Sequence, residues 1–114
     1  MKILTVCAGG LVRSVALADV LKIHFEPTDV IPVGINFNGK GTKYMLYEWA
    51  EKIVVMTEPF VEQIPTEYRE KVLVCEVGAD TYGQSKHPEL LEKVWKWARE
   101  NQDALGIKEH DRII

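Results

Sequence analysis

MKILTVCAGGLVRSVALADVLK, Met1 to Lys22, decides how the rest of the chain is read. Lys2 to Val6 is a short, largely apolar run rich in β-formers, which predicts a buried strand. It ends on Cys7, passes through Ala8, Gly9 and Gly10, and places Arg13 six residues after the cysteine. From Ser14 to about Phe25 the residues Leu17, Val20, Leu21 and His24 recur on one helical face, with Pro27 just beyond the end. Strand, glycine turn and helix follow in that order.

Outward from this stretch the alternation continues. Val30 to Ile35 reads as a second strand, followed by the glycine- and asparagine-rich loop NFNGKG. Thr42 is predicted to cap a helix over KYMLYEWAE, and Ile53 to Met56 is a third strand, apolar throughout as a central parallel strand is. TEPFVEQI follows with Thr57 as its cap, and Lys71 to Val77 is a fourth strand. After the polar loop GADTYGQSKH, Pro88 opens a last helix that runs to about Leu105, where Gly106 supplies the stop. Leu91, Val94, Trp95 and Ala98 are its predicted packing positions, and residues 107–114 read as a fraying tail. Alternating strands and helices predict an α/β fold, a parallel sheet with helices on its faces.

The chain has 114 residues, one domain's worth spanning 1–114, with no repeat or linker-like shift in composition. Its net charge of -3 argues against nucleic acid as the main partner, so an anion must be held by local geometry. Apolar runs are about half the length of a membrane span, and no secretory signal pattern opens the chain. The expectation is a soluble cytoplasmic protein without membrane contact. Cys7 and Cys75 form neither a CxxC pair nor a metal-ligand spacing, so neither a disulfide framework nor a metal site is expected.

In a sheet of this kind ligands bind beyond the carboxyl ends of the strands, and Cys7 sits at the first of these ends. A loop of small residues turns successive N–H groups inward, and the following helix aims its positive end at the same spot. Gly9 and Gly10 permit that backbone, and the field that cradles a dianion also favours a thiolate at Cys7, a nucleophile toward phosphorus. The planar guanidinium of Arg13 suits two equatorial phosphoryl oxygens, and Ser14 can donate to the sulfur. A departing ester oxygen needs a proton donor, for which Asp80, in the loop past the fourth strand, is the candidate. Tyr82 is placed to stack on an aromatic substrate ring.

With CxxxxxRS at a strand-to-helix turn and D-x-Y downstream, the chain resembles the low-molecular-weight protein tyrosine phosphatases, most nearly a short bacterial branch. LYEWAEKIVVMTEPF and ADTY followed by HPELL carry the resemblance through three separated blocks. It implies a three-layer flavodoxin-like fold, with a four-stranded parallel sheet in the order 2-1-3-4 and helices on both faces. It also implies Cys7 as nucleophile, Arg13 as phosphate clamp, Ser14 as thiolate partner and Asp80 as general acid and then base. Residues Ala8, Gly9, Gly10, Leu11, Val12, Arg13 and Ser14, with Tyr82, would bind a phosphotyrosine protein or small aryl phosphate, releasing inorganic phosphate. No metal or cofactor is implied, and the aliphatic Leu11 favours phosphotyrosine over phosphoarginine. The chain departs from the pattern at Gly10, where asparagine is common, at Val12, where a second cysteine is usual, and at Val15 and Thr81, where prolines are usual.

Two other classes compete. The opening also resembles cysteine-phosphorylated carrier subunits of sugar phosphotransferase systems, whose loops generally hold a hydroxyl residue where Arg13 stands. A catalytically silent phosphate-binding module would keep the loop without turnover. A disulfide-relaying arsenate reductase needs more cysteines than Cys7 and Cys75. Cys75 reads as strand core, and His24, His87 and His110 as non-catalytic. Trp49, Trp95 and Trp97 read as packing residues, and Phe37 as either a pocket wall or an ordinary loop residue.

Overall fold

Strand β1 (Lys2–Cys7) is central, and every residue from Ile3 to Cys7 is fully buried. The computed structural model describes residues 1–9, 12–36, 39–79 and 81–110. Helix α1 (Arg13–His24) follows, then the short β2 (Phe25–Glu26) and β3 (Asp29–Gly34). Next come α2 (Lys40–Trp49), β4 (Lys52–Val55), two 3-10 helices over Glu58–Gln63 and Thr66–Lys71, and β5 (Val72–Val74). Helices α3 (Pro88–Glu100) and α4 (Gln102–Leu105) lead to β6 (Lys108–Glu109).

The main sheet has the order β3-β1-β4-β5, parallel throughout, which is the predicted order of the four main strands. Period-two alternation divides its side chains between two cores. Ile3, Cys7, Val54 and Met56 pack with α1 and α3 on one face. Leu4, Val6, Ile53 and Val55 pack on the other with Tyr47 of α2 and with Ile64 and Tyr68 from the 3-10 segments. Covered on both faces, these strands carry the near-continuous apolar runs seen in the sequence.

Several boundaries differ from expectation for local reasons. Helix α2 begins at Lys40 with Gly39 in the cap position, so Thr42 lies inside the first turn instead of capping it. Thr57 occupies the cap position of the first 3-10 helix, but its hydroxyl donates to Glu76 and accepts no cap bond from its own helix. On α3 the fully buried positions are Leu90, Val94 and Ala98, while Leu91 and Trp95 are half-buried against the same core. The last helix, expected to run unbroken to about Leu105, is interrupted at Asn101; Gly106, at φ +69, stops its short second piece α4, and a Cβ there would lie 2.8 Å from Met1 Cε.

The tail expected to fray does not, as far as Glu109. Ile107 is buried, and β6 pairs antiparallel with β2. The Glu109 carboxylate accepts from Trp95 Nε1 at 2.9 Å and from Arg99 Nε at 3.0 Å. Residues 111–114 lie outside the described residues.

Candidate active site

Backbone pairing carries the order of the sheet into the loop after β1. Ile35 N–H donates to the Cys7 carbonyl at 2.8 Å and Asn36 N–H to that of Ala8 at 3.1 Å, while Met56 N–H reaches Val6 from the other flank at 2.9 Å. Cys7 is therefore held where the central strand meets the loop. Its Sγ lies 3.1 Å from Ser14 Oγ, with both side chains fully buried. Thr5, two residues earlier and on the same face of β1, donates from its hydroxyl to the Ser14 carbonyl at 2.8 Å. The strand thus grips the first turn of α1 twice, once by a hydroxyl and once by a thiol.

Helix α1 begins at Arg13 with Val12 in the cap position, no side-chain cap and no acidic residue in its first turn. No protein carboxylate of that turn competes for the helix's positive end, which suits an incoming anion. Arg13 is only 4% exposed; its Nη1 donates to the Gly78 carbonyl at 3.1 Å. Its Cζ lies 5.8 Å from the centroid of the Phe60 ring, in cation–π range. The guanidinium is held from two sides, by the loop after β5 and by the 3-10 helix after β4.

Sequence reasoning missed the residue joining those two sides. The Glu76 carboxylate accepts from Thr57 Oγ1 at 3.0 Å, from Glu58 N–H at 2.8 Å and from Gly78 N–H at 3.1 Å. These hydrogen bonds, chiefly the one from Glu58 N–H, hold its carboxyl below the ordinary glutamate range, with the Arg13 charge adding to the effect. Gly78 has φ +86, a left-handed turn in which one residue gives its N–H to Glu76 and its carbonyl to Arg13. Its glycine identity was the available signal, alongside a carboxylate within the apolar run expected to be the fourth strand.

Of the residues singled out from sequence, the structure brings together Cys7 and Ser14, with Arg13 beginning the same helical turn. Ala8, Gly9 and Val12 are half-buried around them. Gly10, Leu11, Phe37 and Asp80 lie outside the described residues. Tyr82 is half-buried; its hydroxyl hydrogen-bonds the Val77 carbonyl, accepts from Lys93 Nζ at 2.8 Å, and its ring meets His87 edge-on. Cys75 is fully buried, and burial first, then the Glu76 charge, pushes its thiol far above the ordinary range. His87 Nδ1 accepts from Glu89 N–H at the start of α3, and His24 stacks on Trp95 with ring centroids 3.9 Å apart. Among the described residues no cluster of three His, Cys, Asp or Glu is arranged to hold a metal, and no helix is long and apolar enough to cross a membrane.

No protein-family model matches the chain, nor does any curated protein. Solved structures do match in fold. A YwlE arginine phosphatase mutant bearing a serine for cysteine, with the active-site serine phosphorylated, aligns with a TM-score of 0.62 and 20% identity over 90% of this chain and 96% of that one. YwlE arginine phosphatase from Geobacillus stearothermophilus aligns at 0.60 and 20% identity, over 90% and 94%. Wzb of Vibrio vulnificus, in complex with benzylphosphonate, aligns at 0.57 and 22% identity, over 87% and 97%. The chain shares the three-layer flavodoxin-like fold of these proteins.

Proposed function

We propose that this chain is a cysteine-dependent phosphomonoester hydrolase that works through a phosphocysteine on Cys7. The observation carrying the reading is the pairing of Cys7 Sγ with Ser14 Oγ at 3.1 Å, at the start of a helix whose first residue is the buried Arg13. The fold shared with YwlE arginine phosphatase and with Wzb supports it.

The sulfur attacks phosphorus in line, and the bond to the leaving oxygen breaks as the phosphorus–sulfur bond forms. Ser14 Oγ–H donates to the sulfur, which steadies the thiolate before attack and makes it a better leaving group afterwards. Arg13 meets the equatorial oxygens, where charge spreads in the transition state. N–H groups of the loop over Ala8 to Val12 and of the first turn of α1 supply the rest of the cradle. Asp80 follows the Gly78–Ala79 turn that anchors Arg13; it gives its proton to the departing oxygen and then takes one from the water that hydrolyses the phosphocysteine. Leu11 supports phosphotyrosine or another aryl phosphate as substrate.

Hydrolysis of p-nitrophenyl phosphate in chelator tests the reading. Turnover is expected in the native chain and none in Cys7→Ser; turnover that survives in the serine variant would refute a cysteine nucleophile. No turnover in the native chain, with phosphate still bound, would turn the reading to a phosphoryl carrier or silent binding module. Asp80→Asn should slow hydrolysis most for poor leaving groups, and equal rates with all of them would remove Asp80 from the mechanism. A phosphotyrosine peptide set against phosphoarginine tests the substrate class.

A further inference from the structure

The two walls around Arg13 come from separate loops, one after β4 and one after β5. The first, residues 56–71, carries the two 3-10 helices, and the second leaves β5 after Val74. Glu76 spans the gap. On one side it accepts from the Thr57 hydroxyl and the Glu58 N–H, at the start of the 3-10 helix that carries Phe60. On the other it accepts from the N–H of Gly78, whose carbonyl accepts from Arg13 Nη1.

We propose that Glu76 is a positioning residue: by gathering the Thr57, Glu58 and Gly78 donors on one carboxylate it locks the two walls together and sets the direction in which the Arg13 guanidinium meets phosphate. This rests on the reading of Arg13 as the phosphate clamp. An anionic acceptor is needed for the task. One carboxylate offers two oxygens that accept only, so three donors from two loops converge on it without competition. An amide in its place offers one accepting oxygen and turns an N–H₂ toward one of the donors. A methyl offers none, and Gly78 then has nothing to hold its N–H in the left-handed turn.

The lowered carboxyl fixes the sign of the pH dependence. A glutamate held below its ordinary range contributes its clasp while ionised, through neutral and mildly acidic pH, and loses it as pH falls below that range. Native chain and Glu76→Ala should therefore differ at neutral pH and converge in strong acid, within the range where both remain folded.

The test measures inorganic phosphate binding by calorimetry, alongside p-nitrophenyl phosphate kinetics, for the native chain, Glu76→Ala, Glu76→Gln and Thr57→Val. The expected result is phosphate binding and kcat/KM weakened about tenfold or more in Glu76→Ala, on the scale of a lost charge-assisted hydrogen-bond set. Glu76→Gln should fall between native and Glu76→Ala. Thr57→Val, which removes one donor but leaves the Glu58 and Gly78 links, should lose least. Thermal midpoints separate positioning from bulk stability: a Glu76→Ala chain that melts lower yet binds phosphate as the native chain does would overturn the proposal. A native chain that binds no phosphate would instead overturn the reading of Arg13 on which the proposal stands.

Discussion

Two cysteines leave parallel strands of one sheet at the same edge, and both are fully buried, yet the proposed function gives them opposite chemistry. Cys7 ends β1 and Cys75 follows β5; each has the order of a neighbouring strand extended past it, Ile35 N–H reaching Cys7 O and Cys75 N–H reaching Val55 O, both at 2.8 Å. What differs is the next few residues. Six residues after Cys7 a twelve-residue helix begins and returns Ser14 to the sulfur. After Cys75 it runs into Glu76 and an irregular loop, and the carboxylate beside the buried thiol adds to the cost of ionising it. A strand end supplies a location, and the element that follows decides whether a thiol placed there can become a nucleophile.

Short of removing the nucleophile itself, the largest expected effect tests that decision at Arg13. Arg13→Lys keeps the charge at the first position of α1 but loses the planar fork, the Gly78 bond in its present geometry and the stacking area over Phe60. kcat/KM for p-nitrophenyl phosphate should fall about a hundredfold or more, on the scale of losing a transition-state donor. Equal activity would mean that the helix start and loop suffice, and that the difference between the two strand ends is the helix alone.

A smaller effect is expected from Gly78→Ala, which disturbs the acceptor and leaves the guanidinium itself intact. Open space surrounds a Cβ at this position, so the cost is conformational: a side chain at φ +86 is strained by about 1–3 kcal/mol. Relaxation of that turn shifts the Gly78 carbonyl away from Arg13. The expected signature is a raised KM and weaker phosphate inhibition, with a modest drop in thermal midpoint; a drop in midpoint alone would show that Arg13 needs no such anchor.

Much of this was legible in the sequence because it follows from short-range rules. Apolar runs from Lys2 to Val6 and from Ile53 to Met56 mark strands covered on both faces, and Cys7, Arg13 and Ser14 mark where the first strand ends and the first helix begins. Long-range pairing was not legible. Nothing local in IKEHDRII says that Lys108 and Glu109 will meet Phe25 and Glu26, because a two-residue strand has no periodicity to read. Nothing local says that Glu76 will find Thr57 and Glu58, since those partners come from the loop after another strand. Thr42 misled because capping preference was applied where Gly39 already allowed the helix to begin. Leu90 joins the core as a fully buried position the pattern did not single out, because the helix's phase is set by its docking on α1, while Leu91 and Trp95 still pack half-buried beside Val94 and Ala98.

The same substitution made at each strand end sharpens the comparison most cleanly, because the two variants should fail in opposite ways. Cys7→Ser should fold normally, since its hydroxyl still has Ser14 Oγ within reach, while turnover is lost. Cys75→Ser places a hydroxyl in the core formed with Leu90, Val94 and Val77, where an unsatisfied polar group costs about 1–3 kcal/mol, and the thermal midpoint should drop accordingly. Its kcat/KM should stay within about twofold of native, since a thiol held protonated at neutral pH contributes neither charge nor nucleophile. Thermal melts and initial rates on the two variants place them on separate axes, stability for one and activity for the other. Should Cys75→Ser lose turnover without losing stability, the buried thiol at the fourth strand would be reaching the site through Glu76, and the chemical separation of the two strand ends would have to be abandoned.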